Sequence, residues 1–225
     1  MTVGIDEVGR GAWAGPLLLC AVVNHGFDWQ VCFERQAKGW SGELVLVADS
    51  KLISEKQRNR TYDWAVGIKQ IEKIFQSVSV EQIESMGIKT AWQWGIEQLI
   101  GQIIFRWPAS RIWVDGQWLP RVDRLSAWRA EYGLVVNARP NTSLRSSAVR
   151  HQLLVKPKAD QTVWEVALAS ILAKVRRDRF MLKLDKEHPC YDWKHNKGYG
   201  TAYHKQAIIQ HGLSQHHRAS WIKFV

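Results

Sequence analysis

Cysteine is scarce in this chain of 225 residues: Cys20, Cys32 and Cys190 are the only three, and no C-x-x-C pair occurs among them. An odd set without metal-type spacing excludes a disulfide framework and a zinc knuckle, and fits reduced thiols in a cytosolic protein. No apolar run approaches the roughly 20 residues that span a bilayer. Met1 leads directly into a strand-like segment without a signal-peptide pattern, so a cytoplasmic setting with no membrane partner is expected. Internal repeats and low-complexity segments are also missing. At 46% hydrophobic and 23% charged, the chain is too apolar for disorder and long enough for one full core. Negative charge is in short supply: 21 Asp and Glu face 31 Lys and Arg, a formal net charge of +10. That excess points to a polyanionic partner, nucleic acid before membrane, because no basic amphipathic helix is visible. The basic residues cluster in 51–60, 174–179 and 194–205. Tryptophan is abundant instead, with thirteen residues; core packing accounts for most of them, and no function is assigned to the excess.

The most informative stretch is Gly4-Ile5-Asp6-Glu7-Val8-Gly9-Arg10-Gly11, followed by Ala14-Gly15-Pro16. Neighbouring side chains on a strand point to opposite faces, so adjacent Asp6 and Glu7 suggest that the strand ends there. Glycines on both sides of Arg10 let the backbone turn sharply and approach a ligand. An acidic pair suits a hard divalent cation, and bare amides beside an arginine suit a phosphate. A solvated charge pair in an Asx-type turn is the plain alternative for any single motif of this kind.

Strands are expected at Val3–Ile5, Leu17–Val23, Ile71–Val78, Arg111–Val114 and Leu153–Val155, with a strand-like patch at Leu134–Val136. Residues 24–43 read as a loop. Ser54 with Gln57 forms a capping-box pattern for a helix over Glu55–Ile68, Ser79 caps a short helix, and Lys89–Phe105 forms a longer one that Pro108 stops. Thr162–Leu184 has apolar residues at helical spacing, and Thr201–Gln210 reads as a further helix. Alternating strands and helices indicate an α/β sheet. Carboxylates recur at strand ends or just before a helix: Asp6, Glu7, Asp115 and Asp160. Ligands collect at strand ends in open α/β sheets, so these residues can converge although distant in sequence. Four convergent carboxylates cannot all ionise without cations. Two Mg²⁺ or Mn²⁺ ions resolve that repulsion and suit in-line attack of water on a phosphodiester.

On these motifs the chain resembles bacterial ribonuclease HII, the type 2 ribonuclease H. The matching blocks are Gly4–Pro16 (GIDEVGRGAWAGP), Ala48–Lys56 (ADSKLISEK), Val114-Asp115-Gly116, Ala159–Arg179 (ADQTVWEVALASILAKVRRDR), Lys197–His204 (KGYGTAYH) and His216–Trp221 (HHRASW), in the family's order along the chain. The resemblance implies a ribonuclease H-like α/β fold: a mixed five-stranded sheet flanked by helices over residues 1–187, with a helical C-terminal, substrate-binding extension over 188–225. It places the four metal-binding, catalytic acids on Asp6, Glu7, Asp115 and Asp160. Gly9, Arg10 and Gly11 would grip the backbone and read the 2′-hydroxyl at the ribonucleotide. Tyr199 would sense the following deoxyribose, and Lys51 would bind phosphate. The implied activity is hydrolysis of the RNA strand of RNA–DNA hybrids and incision 5′ to ribonucleotides embedded in duplex DNA. This would be carried out by a monomer, with Mg²⁺ or Mn²⁺, in removal of misincorporated ribonucleotides.

Each assignment has a competing structural role. Asp160 could cap the long helix, Asp115 a turn; Tyr199 could be a buried aromatic, Lys51 a solvated charge and Arg10 a surface arginine. The resemblance is imperfect at Ala159, where the family carries glycine. The 45 residues between Asp115 and Asp160 are also long for the family, so part of 117–150 reads as an insertion. Its arginines (Arg121, Arg124, Arg129, Arg139, Arg145 and Arg150) could extend a DNA-binding surface or line a solvated loop. Asp49 is expected to shape its turn and Asp178 to pair with a neighbouring arginine. The histidines lack a compact ligand spacing, so packed or solvated roles are expected for them. A different nuclease of the same fold and an inactive nucleic-acid-binding scaffold remain the alternatives.

Overall fold

The computed structural model describes residues 1–36, 39–42, 45–107, 110–116, 134–137 and 151–224. In chain order the strands are β1 (Thr2–Val8), β2 (Leu17–Asn24), β3 (Phe33–Gln36), β4 (Gly39–Gly42), β5 (Leu46–Ala48), β6 (Ile71–Val78), β7 (Ser110–Asp115), β8 (Leu134–Asn137) and β9 (His151–Lys156). The helices are α1 (Trp29–Cys32), α2 (Glu55–Gly67), α3 (Val80–Met86), α4 (Ile88–Arg106), α5 (Trp164–Glu187), α6 (Trp193–Asn196) and α7 (Ala202–His211). The main sheet has the order β6-β2-β1-β7-β9-β8. β1 pairs antiparallel with β2 and parallel with β7. The expected mixed sheet with flanking helices and a helical C-terminal extension is therefore present, and short β8 adds a sixth strand at one edge.

The sheet is covered on both faces, which explains why β2 reads as an unbroken apolar run rather than an alternation. Leu17, Leu19, Ala21 and Val23 pack with Trp92, Ile96, Leu99 and Ile103 of α4 on one side. Cys20 and Val22 pack with Ala167, Leu168 and Ile171 of α5 on the other, where burial pushes the Cys20 thiol pKa up. The α5 face lies close to β1: a Cβ on Gly4 would fall 2.2 Å from the Glu165 carbonyl carbon, so only glycine fits there. Both helix starts read from Ser54 and Ser79 are present as full capping boxes with Gln57 and Gln82.

Two expectations need correction. The span 24–43 is not simply a loop, since it contains α1, β3 and β4, and β3–β4–β5 form a second, antiparallel sheet. Its signal is hidden because it is held by aromatic packing, not by alternation: buried Phe33 and Trp40 join a cluster around Trp164, which Trp29 stacks upon at 6.1 Å. Second, β1 does not stop at the acidic pair but stays paired with β2 through Val8. The 117–150 segment, apart from β8, lies outside the described residues, as do the six arginines named for it.

C-terminal residues pack on the end of α5, with Met181 and Leu184 meeting Tyr191, Trp193, Ile208 and Ile222. Two buried histidines are locked into this cluster. The Ser214 backbone N–H donates to His217 Nδ1 (2.9 Å), which leaves Nε2–H of His217 to donate to His204 Nε2 (3.1 Å). His204 Nδ1–H in turn donates to the Tyr199 carbonyl (2.9 Å). This network assigns both tautomers as neutral, and burial lowers both pKa values, that of His217 to about 4. For these two residues the expected packed role is observed.

Candidate active site

Asp6 and Glu7 occupy successive positions of β1 and face opposite sides of the sheet, Asp6 toward Ser170 of α5 and Glu7 toward Trp92 of α4. Both still reach one cleft, because the β1–β7 register ends at Ile5–Val114 while β1 runs on. Asp115, the last residue of β7, stands next in that register. Asp160 arrives from the 3₁₀ turn Ala159–Gln161 that follows β9, and the turn is tied to Asp115 by the Ala159 backbone N–H, which donates to Oδ1 at 2.7 Å. The left-handed residue entering this turn is Lys158 (φ 56°), so Ala159 occupies its buried place without backbone strain. Asp160 does not cap the long helix: the cap of α5 is Val163, with no side-chain bond. All nine residues named from sequence (Asp6, Glu7, Gly9, Arg10, Gly11, Lys51, Asp115, Asp160 and Tyr199) line this single cleft of about 480 Å³.

Desolvation is the largest cause raising the pKa of each of the four acids. Asp6 is pushed well above the ordinary carboxylate range, with Glu7 and Asp115 adding repulsion. Asp160 rises to about 6, from burial first and then from Asp115 and Asp49. Lys51 opposes the shift at Glu7, Asp115 and Asp160 and is the nearby cation they share. Glu7 Oε2 is buried without a hydrogen-bond partner among the described residues, a costly state for a carboxylate oxygen. Clustered, desolvated oxygen donors with an orphaned lone pair fit a hard divalent cation, which supplies the missing positive charge. Asp49 lines the same cleft and shapes its turn as expected, accepting the Lys51 backbone N–H at 3.0 Å. Among the described residues Asp178 does not pair with an arginine. It takes Lys174, one turn earlier on α5, at 2.8 Å, because Arg177 is turned inward.

Beside the acids the chain turns at Gly9, whose φ of +88° and a Cβ position 2.2 Å from Arg177 Nε admit no side chain. Arg10 lies over Trp92 at 5.3 Å and 3.9 Å from Glu7, with its side chain 43% exposed. The loop is held from behind by two buried arginines. Arg177 donates to the carbonyls of Pro16 (2.9 Å), Ala14 (2.9 Å) and Lys197 (2.8 Å). Arg218 donates twice to the Gly15 carbonyl (3.1 and 2.8 Å) and once to that of Arg10 (3.1 Å). The Gly198 carbonyl accepts from Trp13 and Ala14, which sews the Lys197–Tyr199 segment to the same loop. Gly11, by contrast, has nothing within 4 Å of a built Cβ, so its bareness serves the open side of the cleft. Gly9→Ala should therefore lower the melting temperature markedly. Gly11→Ala should leave it within about 1 °C of wild type, as for an uninvolved surface site, while weakening substrate turnover. Melting curves and cleavage assays on the two variants check this contrast.

A profile of the family described as "Ribonuclease HII" matches residues 127–224. Ribonuclease HII of Campylobacter jejuni is 31% identical over 219 residues, covering 97% of this chain and 89% of its own length. The chain belongs to the ribonuclease HII family. Membership makes it a ribonuclease H-type nuclease. Among solved structures, the ribonuclease HII of Archaeoglobus fulgidus, determined in a complex with PCNA, has a TM-score of 0.66 at 23% identity, covering 100% of this chain and 95% of that one. Bst-RNase HIII in complex with Mn²⁺ has a TM-score of 0.57 at 17% identity, covering 94% of this chain and 62% of that one. These two likenesses show the same fold.

Sequence reasoning about the site missed Arg177 and Arg218. Both sit in motifs read as family blocks, but nothing local marks an arginine as buried when its partners are carbonyls far away in the chain.

Proposed function

We propose that this enzyme hydrolyses the RNA strand of RNA–DNA hybrids and cuts on the 5′ side of a ribonucleotide embedded in duplex DNA, in the cytoplasm. The observation that carries this reading is the convergence, in one cleft, of four carboxylates with the Gly9–Gly11 loop, Lys51 and Tyr199. Asp6, Glu7, Asp115 and Asp160 would hold two divalent cations. When bound, Mg²⁺ or Mn²⁺ supplies charge neutralisation at the phosphodiester and lowers the cost of forming the attacking hydroxide.

The protein's own groups position the substrate. Backbone groups of the Gly9–Gly11 turn meet the sugar-phosphate at the ribonucleotide, where the 2′-hydroxyl is both donor and acceptor and so distinguishes RNA from DNA. Lys51, exposed at the rim, balances phosphate charge. The half-buried Tyr199 ring, with Lys174 and Arg177 at 5.9 and 5.5 Å, packs against the next sugar and disfavours a second 2′-hydroxyl. With water as nucleophile and the 2′-hydroxyl uninvolved, the products carry 3′-hydroxyl and 5′-phosphate ends.

A labelled DNA duplex holding one ribonucleotide, incubated with Mg²⁺, Mn²⁺ or EDTA, tests the proposal. Metal-dependent incision 5′ to the ribonucleotide, with an all-DNA control untouched, is the expected result. Cleavage of long hybrids alone would overturn the roles of Arg10 and Tyr199. Binding without any cleavage would favour an inactive scaffold.

A further inference from the structure

We propose that Glu187, His188 and His216 form a second cation site, selective for a zinc-class transition metal, where α5 meets the C-terminal segment. Their ligand atoms all lie within 4.8 Å of one another. Glu187 is the last residue of α5 and His188 its C-cap, while His216 comes from the turn that follows Ser214. The two imidazoles meet edge to face, with 5.3 Å between centroids and 66° between planes. Unlike His204 and His217, whose ring nitrogens are committed to hydrogen bonds, neither ring of this pair has a hydrogen bond among the described residues. Glu81, in the first turn of α3, adds a further negative charge toward His216.

The donor set decides the ion. Two imidazoles and one carboxylate suit zinc and its neighbours, whereas Mg²⁺ takes oxygen ligands and is drawn to the all-carboxylate cleft. Metal–ligand bonds of about 2.0–2.2 Å place tetrahedral donors roughly 3.4 Å apart, a spacing compatible with this cluster, in which Glu187 is the exposed member. The consequence would reach the active-site loop, because the His216 carbonyl accepts the Gly15 N–H at 2.9 Å and Ala14 bridges to His217. An ion held here would fasten the end of α5 to the segment that backs the Gly9–Pro16 loop.

The test uses untagged, full-length protein carrying Asp6→Asn and Asp115→Asn, so that the cleft acids do not compete. Zn²⁺ is titrated against a chromophoric chelator, and melting is followed with and without Zn²⁺. One equivalent should bind and raise the melting temperature, with Mg²⁺ giving no such rise. Affinity should fall at least about tenfold in Glu187→Gln, an exposed change that spares the packing, and the rise should vanish in His188→Ala/His216→Ala. Failure of the cleft-depleted protein to bind zinc, or binding unchanged by both sets of substitutions, would overturn the proposal.

Discussion

Asp6→Asn should lose cleavage by on the order of a thousandfold or more and yet, without metal, melt at a higher temperature than the wild type. Both halves follow from the same feature. Asp6 is 6% exposed and crowded by Glu7 and Asp115, so its charge is unfavourable until a cation arrives. The carboxamide keeps the shape, and its oxygen can still accept the Glu7 backbone N–H that now bonds Asp6 at 2.7 Å. It removes the charge that burial penalises, and with it a donor that the proposed divalent ion would need. Mg²⁺ or Mn²⁺ should therefore raise the melting temperature of the wild type much more than that of the variant, since a ligand stabilises only what it binds. A metal-free variant that melts below the wild type, or one that still cleaves at the wild-type rate, would remove Asp6 from the metal-binding set.

The pH dependence separates this electrostatic account from a packing effect. Asp160 rises to about 6 in the folded protein, above its unfolded value near 3.9. A raised carboxylate pKa means that the folded state holds the proton longer. The associated stability is full below about 4 and is lost as pH rises through 6. Asn at position 160 mimics the protonated acid at every pH. The melting temperatures of Asp160→Asn and metal-free wild type should thus coincide at and below about pH 4, separate between pH 4 and 6, and hold a constant gap above that, with the variant higher. A constant offset across the whole range would point to packing instead.

Much of this arrangement was legible because it is written in local chemistry. Acids at strand ends, paired glycines around Arg10 and capping boxes at Ser54 and Ser79 each mark their place in the structure within a few residues. The reading of β1 failed at one point for a geometric reason. Adjacent acids on opposite faces suggest a strand end, but here the parallel neighbour stops at Asp115 and opens the cleft while the antiparallel neighbour continues. The β3–β4–β5 sheet stayed hidden because Phe33 and Trp40 are anchored by Trp164, more than 120 residues later in the chain. The inward arginines were illegible for the same reason: a basic run such as Lys174–Arg179 looks solvated throughout, and only tertiary carbonyls single out Arg177.

That residue carries the second large expectation. Arg177→Met should destabilise the protein and also depress incision at a single ribonucleotide, while leaving metal binding intact. Three carbonyls from two separate segments lose their donor, at about 1–3 kcal/mol each where water cannot replace it. Relief from burying a guanidinium whose partners here are neutral carbonyls offsets part of that. A net loss of about 3 kcal/mol, or roughly 10 °C in a chain of this length, is expected. The functional loss has a different origin. Ala14 and Pro16 fix the far side of the loop that starts at Gly9, and Lys197 fixes the segment bearing Tyr199, so one side chain sets the spacing between the two elements proposed to face the substrate. Displacements of about 1 Å at such elements cost on the order of a hundredfold in turnover. The decisive comparison is kcat/KM well below the melting transition, together with Mn²⁺ binding by calorimetry. A variant that melts early but, while folded, cuts as the wild type does would make Arg177 a fold determinant alone. Loss of metal binding alongside activity would show that the acids, not the loop spacing, had moved.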